Sequence, residues 1–392
     1  MSEAQAPAEQ RQLLRNVLFV FFVSGVSSAP LGSFIPFLRS AYGLSYDLSG
    51  ILLSCLSVGN LCATLIAGIL PSMLGRRRSI LVSAVWMFVG YSVFALGFGA
   101  PALLLAACTM MGVARGGNSN FSNTMVSTLP GKAATRGYNL LHGSYAVGAL
   151  LSPLLLVFLS SRMPVSGWRA AAGVIVLLCF AQLCVYAKMK LPPENATRGI
   201  KSIDRSFLKD RRFWLGSAML FFYIAVEYAI CGWLVTYFQD IGVLSADYAQ
   251  MMNSLLWLVI FIGRMVGAFL TGRVSRSTQL LVDGVGLLGC FLLMLFSRSA
   301  LPVVIGLIGV GLFMATIYPT AFSFGGDCIK GNDLGCSIML FISGVGGIIT
   351  PALVGFIAER SGIFAGMILV AACVGLLLIS IIFSVLTAKK KA

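Results

Sequence analysis

About every 30 residues this chain repeats a run of some 20 apolar residues, and twelve such runs follow one another with nothing globular between them. At 1.5 Å per residue such a run crosses a hydrocarbon core of roughly 30 Å, where only helices and closed barrels satisfy their own backbone hydrogen bonds. Strand-type alternation is absent, so the pattern predicts an all-α membrane protein. The spans fall at 14–38, 46–70, 78–98, 101–126, 137–160, 168–189, 212–238, 245–270, 278–297, 301–323, 334–358 and 362–387. A content of 58% hydrophobic and 10% charged residues agrees, because no water-soluble core of this length needs so much apolar surface. The first span is too long, and too polar at its start, for a cleaved leader.

The formal net charge of +15 would suit nucleic acid, but its placement argues for a membrane instead. With a cytoplasmic N-terminus, 21 Lys and Arg fall on the inner side, among them Arg76, Arg77, Arg78, the run from Lys188 to Arg212 and the tail Lys389 to Lys391. Five lie outside (Arg39, Arg162, Arg169, Arg298 and Arg360) and two lie within spans (Arg115 and Arg264). This asymmetry is the positive-inside rule, so both termini are expected in the cytoplasm and no nucleic-acid partner is expected. Arg76 to Arg78 and the Lys tail then serve orientation and contact with lipid headgroups.

The cysteines show no ligand spacing with the single His, and no metal, cofactor or disulfide is expected. Asn195-Ala-Thr197 matches a glycosylation sequon, but it falls in the expected cytoplasmic loop. No nucleophile with a base and no phosphate loop is present, which argues against an enzyme.

Residues 190–211 form the longest polar stretch and divide the chain into a six-helix bundle at 1–189, a central cytoplasmic loop, and a second six-helix bundle at 212–392. The halves align. Leu44-Ser45, Leu70 and Arg76 match Leu244-Ser245, Leu270 and Arg276 at an offset of 200, and Gly148 with Ser152-Pro153 matches Gly346 with Thr350-Pro351 at 198. A duplicated six-helix unit implies two bundles related by an axis along the membrane normal, with the solute site near the midplane.

The loop Gly68-Ile-Leu70-Pro-Ser72-Met-Leu-Gly75-Arg76-Arg77 resembles the signature between the second and third helices of the major facilitator superfamily. Ser72 and Met73 stand where that signature has an acid and a base. Gly68, Gly75 and Arg76 are the turn and gate positions that the resemblance implies. More closely, the chain resembles the fucose permease and glucose/galactose transporter branch. The fifth span reads Leu141-His142-Gly143 through Pro153, the seventh runs from Phe222-Tyr223 through Glu227 to Gly232-Trp233 and Tyr237, and the fourth carries Gly112, Gly116 and Asn123. Proton-coupled members of that branch carry acids in the first and fourth spans, where this chain has Gly32 and Ser119.

The polar residues inside spans give the candidate site. Glu227 is the one acid near the middle of a span, and an isolated carboxylate in hydrocarbon must face a cavity, meet a partner or be protonated. Tyr223 and Cys231 lie one turn to either side of it. A cavity that alternately wets and dries would switch its proton, so Glu227 is the candidate coupling residue; a packing hydrogen bond to a neighbouring helix is the plainer account. Arg115, Asn118, Ser119, Ser122 and Asn123 form one polar stripe at helical spacing. Arg115 offers fixed donors for a carboxylate or a hydroxyl pair, or else makes a structural ion pair.

Tyr223, Trp233, Tyr237, Asn253 and Trp257 are the remaining candidates for binding solute, aromatic faces being suited to a sugar ring and equally to ordinary packing. Ser24, Ser27 and Ser28 lie on one face of the first span. Arg264 and Asp283, near the inner ends of the eighth and ninth spans, read as a gate or scaffold pair, and His142 as a scaffold residue.

The expected function is a monomeric secondary transporter of a bacterial inner membrane. It would move a small polar solute, a sugar or sugar derivative, by alternating access, with H+ or Na+ coupled through Glu227. An organic-anion or drug carrier that uses Arg115 is the alternative within the class, and a receptor or scaffold without transport the alternative outside it.

Overall fold

The computed structural model describes residues 5–66, 70–129, 132–191, 206–270, 273–326, 328–329 and 333–389. Gly68, the sequon at Asn195, most of the central loop and the end of the Lys tail lie outside the described residues.

Every expected span falls on a helix. The first is made of α1 (Gln5–Ser28) and α2 (Leu31–Tyr42), parted where Pro30 withholds a backbone N–H and cannot continue the preceding helix. Then come α3 (Tyr46–Ile66), the short α4 (Leu70–Leu74), α5 (Arg76–Leu96), α6 (Pro101–Ser127), α7 (Lys132–Arg162) and α8 (Gly167–Lys188). A 3-10 turn at Ser206–Lys209 leads into α9 (Arg211–Asp240), α10 (Ala246–Leu270), α11 (Arg276–Phe296), α12 (Ala300–Gly326) and α13 (Asp333–Lys389). The last two spans share α13, divided at Gly362, whose φ of 82° only glycine adopts readily.

Among the described residues, ten segments are long and apolar enough to cross a membrane. The count differs from twelve because the last two expected spans share α13, which counts once, and α6 is too polar in its second half to qualify.

The chain forms two compact units. One holds the residues up to Gly43 and those from Cys55 to the central loop; the other holds Leu44–Ser54 and everything after the loop. In the first, Val17 and Phe21 of α1, Ile80 of α5, Phe121 and Met125 of α6 and Tyr186 of α8 close one core. Glycines let its helix backbones approach: a Cβ on Gly59 would stand 2.2 Å from the Thr109 carbonyl oxygen, and one on Gly112 would stand 2.1 Å from that of Leu56.

Gly75 starts α5 at φ 78° with open space around it, so its backbone conformation, and not crowding, calls for glycine. Next to it, Arg77 donates to the Ala187 and Met189 carbonyls at 2.5 and 3.0 Å, completing the last turn of α8. Arg76, the first residue of α5, is half-buried.

Leu44–Ser54 belongs with the second unit through specific contacts. The Tyr46 backbone N–H donates to Glu359 at 2.7 Å, the Tyr46 hydroxyl bonds the Asp240 carboxylate, and Ser54 donates to the Ile348 carbonyl at 2.6 Å. Arg360 pairs with Asp47 at 3.4 Å. The N-terminal part of α3 is therefore held by α9 and α13, although the order of the chain assigns it to the first bundle.

Candidate functional site

Each unit carries a polar face inside its spans. In the first, the stripe on α6 divides into two rows. Asn118 and Ser122 point into the helix core: the Asn118 amide donates to the Ser24 hydroxyl at 3.4 Å, and the Tyr186 hydroxyl donates to the Asn118 carbonyl oxygen at 3.4 Å. Asn118 thereby ties α1, α6 and α8 together. Arg115, Ser119 and Asn123 are half-buried and form the accessible row. Asn123 holds its own shape by donating to the Ser119 carbonyl at 2.8 Å, while its backbone carbonyl accepts from Tyr138 at 3.2 Å. A polar stripe thus contains both a structural network and a face able to meet a solute, and the helical period sorts one from the other.

His142 is exposed on α7 with its ring edge-on to Phe21 at 5.7 Å. Ser27 bonds back to the Val23 carbonyl at 2.8 Å, and the carbonyl of Ser27 accepts from Tyr91.

In the second unit Glu227 is half-buried, roughly 24 Å along α9 from its first residue, Arg211. Tyr223, one turn earlier, is buried, and its ring lies 5.5 Å from that of Tyr318 on α12. Glu227 and the guanidinium of Arg264 on α10 both lie close enough to the hydroxyls of Tyr223 and Tyr318 to act on them electrostatically. Arg264 therefore belongs with this cluster, and the expected Arg264–Asp283 pair does not form among the described residues. Asp283 instead accepts a hydrogen bond from the Thr316 hydroxyl of α12, a buried neutral donor.

Two aromatic candidates are placed as braces. Trp233 is wholly buried and donates its indole N–H to the Pro351 carbonyl at 3.0 Å; Tyr237 is wholly buried and donates to the Leu295 carbonyl at 2.9 Å. Polar atoms spent on backbone carbonyls inside the bundle are not available to a solute. Asn253 is buried, and Trp257 nearly so, on α10.

Sequence reasoning passed over Tyr318, which stands immediately before Pro319 in an otherwise apolar span; a polar aromatic beside a helix-interrupting proline was the available signal. No cluster of His, Cys, Asp and Glu able to hold a metal occurs among the described residues.

Residues 17–331 match the profile of the Major Facilitator Superfamily. The chain belongs to that superfamily. It is 24% identical to a glucose/galactose transporter of Brucella abortus over 92% of this chain and 91% of that protein. It is 23% identical to a hexuronate transporter of Bacillus subtilis over 91% and 90%. Among solved structures, a D-xylose-proton symporter superposes with a TM-score of 0.76 at 14% identity, over 95% of this chain and 96% of that one. The major facilitator fold, the transporter class and the likeness to the glucose/galactose branch thus stand together, and the protein is a multi-pass membrane carrier and not an enzyme.

Proposed function

We propose that this superfamily member is a symporter that carries a sugar or sugar derivative across a bacterial inner membrane by alternating access, as a monomer with both termini in the cytoplasm. One observation carries the reading: Glu227 sits mid-span, half-buried, with Tyr223 and Tyr318 around it. A carboxyl group in that position can exchange a proton when its surroundings are wet and hold it when they are dry, which is what coupling requires. Taken separately, the accessible row of α6 in the first unit and the α9 cluster in the second each offer polar groups suited to a polyol. Relatives named for glucose/galactose transport and for hexuronate transport support this solute class.

Carriage of an organic anion is the second reading, favoured by Arg115, a guanidinium that is half-buried in the middle of α6. Purified protein in sealed vesicles tests both readings. Accumulation of a labelled sugar or sugar acid on imposing an inward proton gradient is the expected result. Accumulation only of organic anions that are not sugar acids selects the second reading, and absence of any solute flux overturns both.

A further inference from the structure

Arg264 is exposed although it lies inside a membrane-spanning helix, and its guanidinium lies near the hydroxyl of Tyr223, which is buried. A charge facing lipid is costly, which argues that this guanidinium meets water on the side of its own unit. The backbone of α10 is held there by contact with α12, since a Cβ on the adjoining Gly263 would stand 3.0 Å from the Leu312 carbonyl oxygen. The Tyr223 hydroxyl itself closes no hydrogen bond of ordinary geometry among the described residues, so a buried donor is left facing the same cluster. The groups gathered there are Glu227, Tyr223, Tyr228 and Cys231 from α9, Arg264 from α10, Tyr318 from α12 and Cys336 from α13.

The charge balance of this cluster decides what it can carry. Arg264 and Glu227 together are neutral. If Glu227 took a proton while a neutral sugar was bound, Arg264 would be left as a lone cation when that water was excluded, and a dry unpaired charge is expensive. If the solute brings its own carboxylate, that anion compensates Arg264 and one proton on Glu227 completes neutrality.

Resting on the proposed role of Glu227, we propose that Arg264 selects the charge of the solute by docking the carboxylate of a sugar acid, which binds together with one proton taken up by Glu227. The Tyr223 and Tyr318 hydroxyls then meet the sugar hydroxyls. No bond is made or broken beyond the transfer of the proton from water to the Glu227 carboxylate.

Binding of glucuronate and of glucose to the purified full chain, measured by calorimetry from pH 6 to 8, tests this. Co-binding of one proton predicts that glucuronate affinity rises about ten-fold per unit fall in pH while Glu227 is ionised beforehand. Glu227→Gln should bind glucuronate with no pH dependence. Arg264→Gln should weaken glucuronate about 10- to 100-fold, and Arg264→Lys, which keeps the charge, should recover part of the loss. Thermal unfolding without ligand checks that each variant is folded.

Equal glucuronate affinity in wild type and in folded Arg264→Gln would overturn the inference. Binding of glucose but not of glucuronate by the wild type would also overturn it, leaving the sugar-carrier reading intact. Binding of neither sugar would remove that reading and the inference with it.

Discussion

Gly148 and Gly346 hold the same place in the two halves of the chain: a Cβ built on either would stand 2.3 Å from a carbonyl oxygen on the leading helix of its own half, Phe22 for one and Phe221 for the other. Phe22 and Phe221 are themselves related by nearly the same offset as the glycines. In each half the fifth span therefore presses its backbone against the first at a point where no side chain fits, as expected of a duplicated unit that kept one packing solution.

Replacing either glycine with alanine should destabilise the protein, because the atoms it would meet belong to backbone and cannot step aside. Overpacking of this kind costs about 1 to 3 kcal/mol, read as a lower unfolding temperature in detergent. Gly143→Ala, on the same helix as Gly148 but with open space around it, is the control and should leave the transition in place. Equal effects at all three positions would mean that the close approach does not limit stability.

Thr316→Val keeps the shape of the side chain but removes the hydroxyl that Asp283 accepts from inside the second unit. A buried carboxyl left without its donor should cost about 1 to 3 kcal/mol. Adding Asp283→Asn to Thr316→Val should return part of that loss, because the amide brings donors of its own. If Thr316→Val unfolds at the wild-type temperature, this bond contributes nothing net.

The orientation implied by the Lys and Arg bias is open to labelling. In a background without other cysteines, Lys209→Cys should react with an impermeant thiol reagent only after the cytoplasmic side is opened. Val165→Cys, at a position 89% exposed, should react in intact cells. The reverse pattern would invert the topology.

Glu227→Gln imitates a carboxyl that never releases its proton. Vesicles holding this variant should still exchange labelled solute for unlabelled, while accumulation driven by a proton gradient should disappear. Retained accumulation would move coupling away from Glu227, and the absence of acids at Gly32 and Ser119 would then favour exchange or uncoupled transport.

The candidate site was partly readable from the chain. Glu227 stood out because a carboxylate in the middle of a span is costly wherever it is not satisfied. The stripe on α6 stood out by its period, yet the period could not say that Asn118 would be spent on Ser24 and Tyr186 while Ser119 and Asn123 remained accessible. Arg264 was matched with Asp283 because both sit near inner helix ends; which neighbour each one meets depends on the rotation of three helices about their axes. Trp233 and Tyr237 look in sequence like any aromatics near a binding residue, and only their bonds to Pro351 and Leu295 reveal them as braces.

The sequence by itself determined that this protein spans a membrane, that its apolar runs are helices, that its halves are duplicates and that its polar candidates lie in spans. Those properties follow from hydrophobic run length, charge placement and repeat offset, all of which are local or additive along the chain. Tertiary structure decided that Leu44–Ser54 packs with the second unit, that Arg264 shares the surroundings of Glu227, and that Asp283 turns to Thr316. These depend on contacts between residues far apart in sequence, where a rotation of one helix by a fraction of a turn exchanges one partner for another.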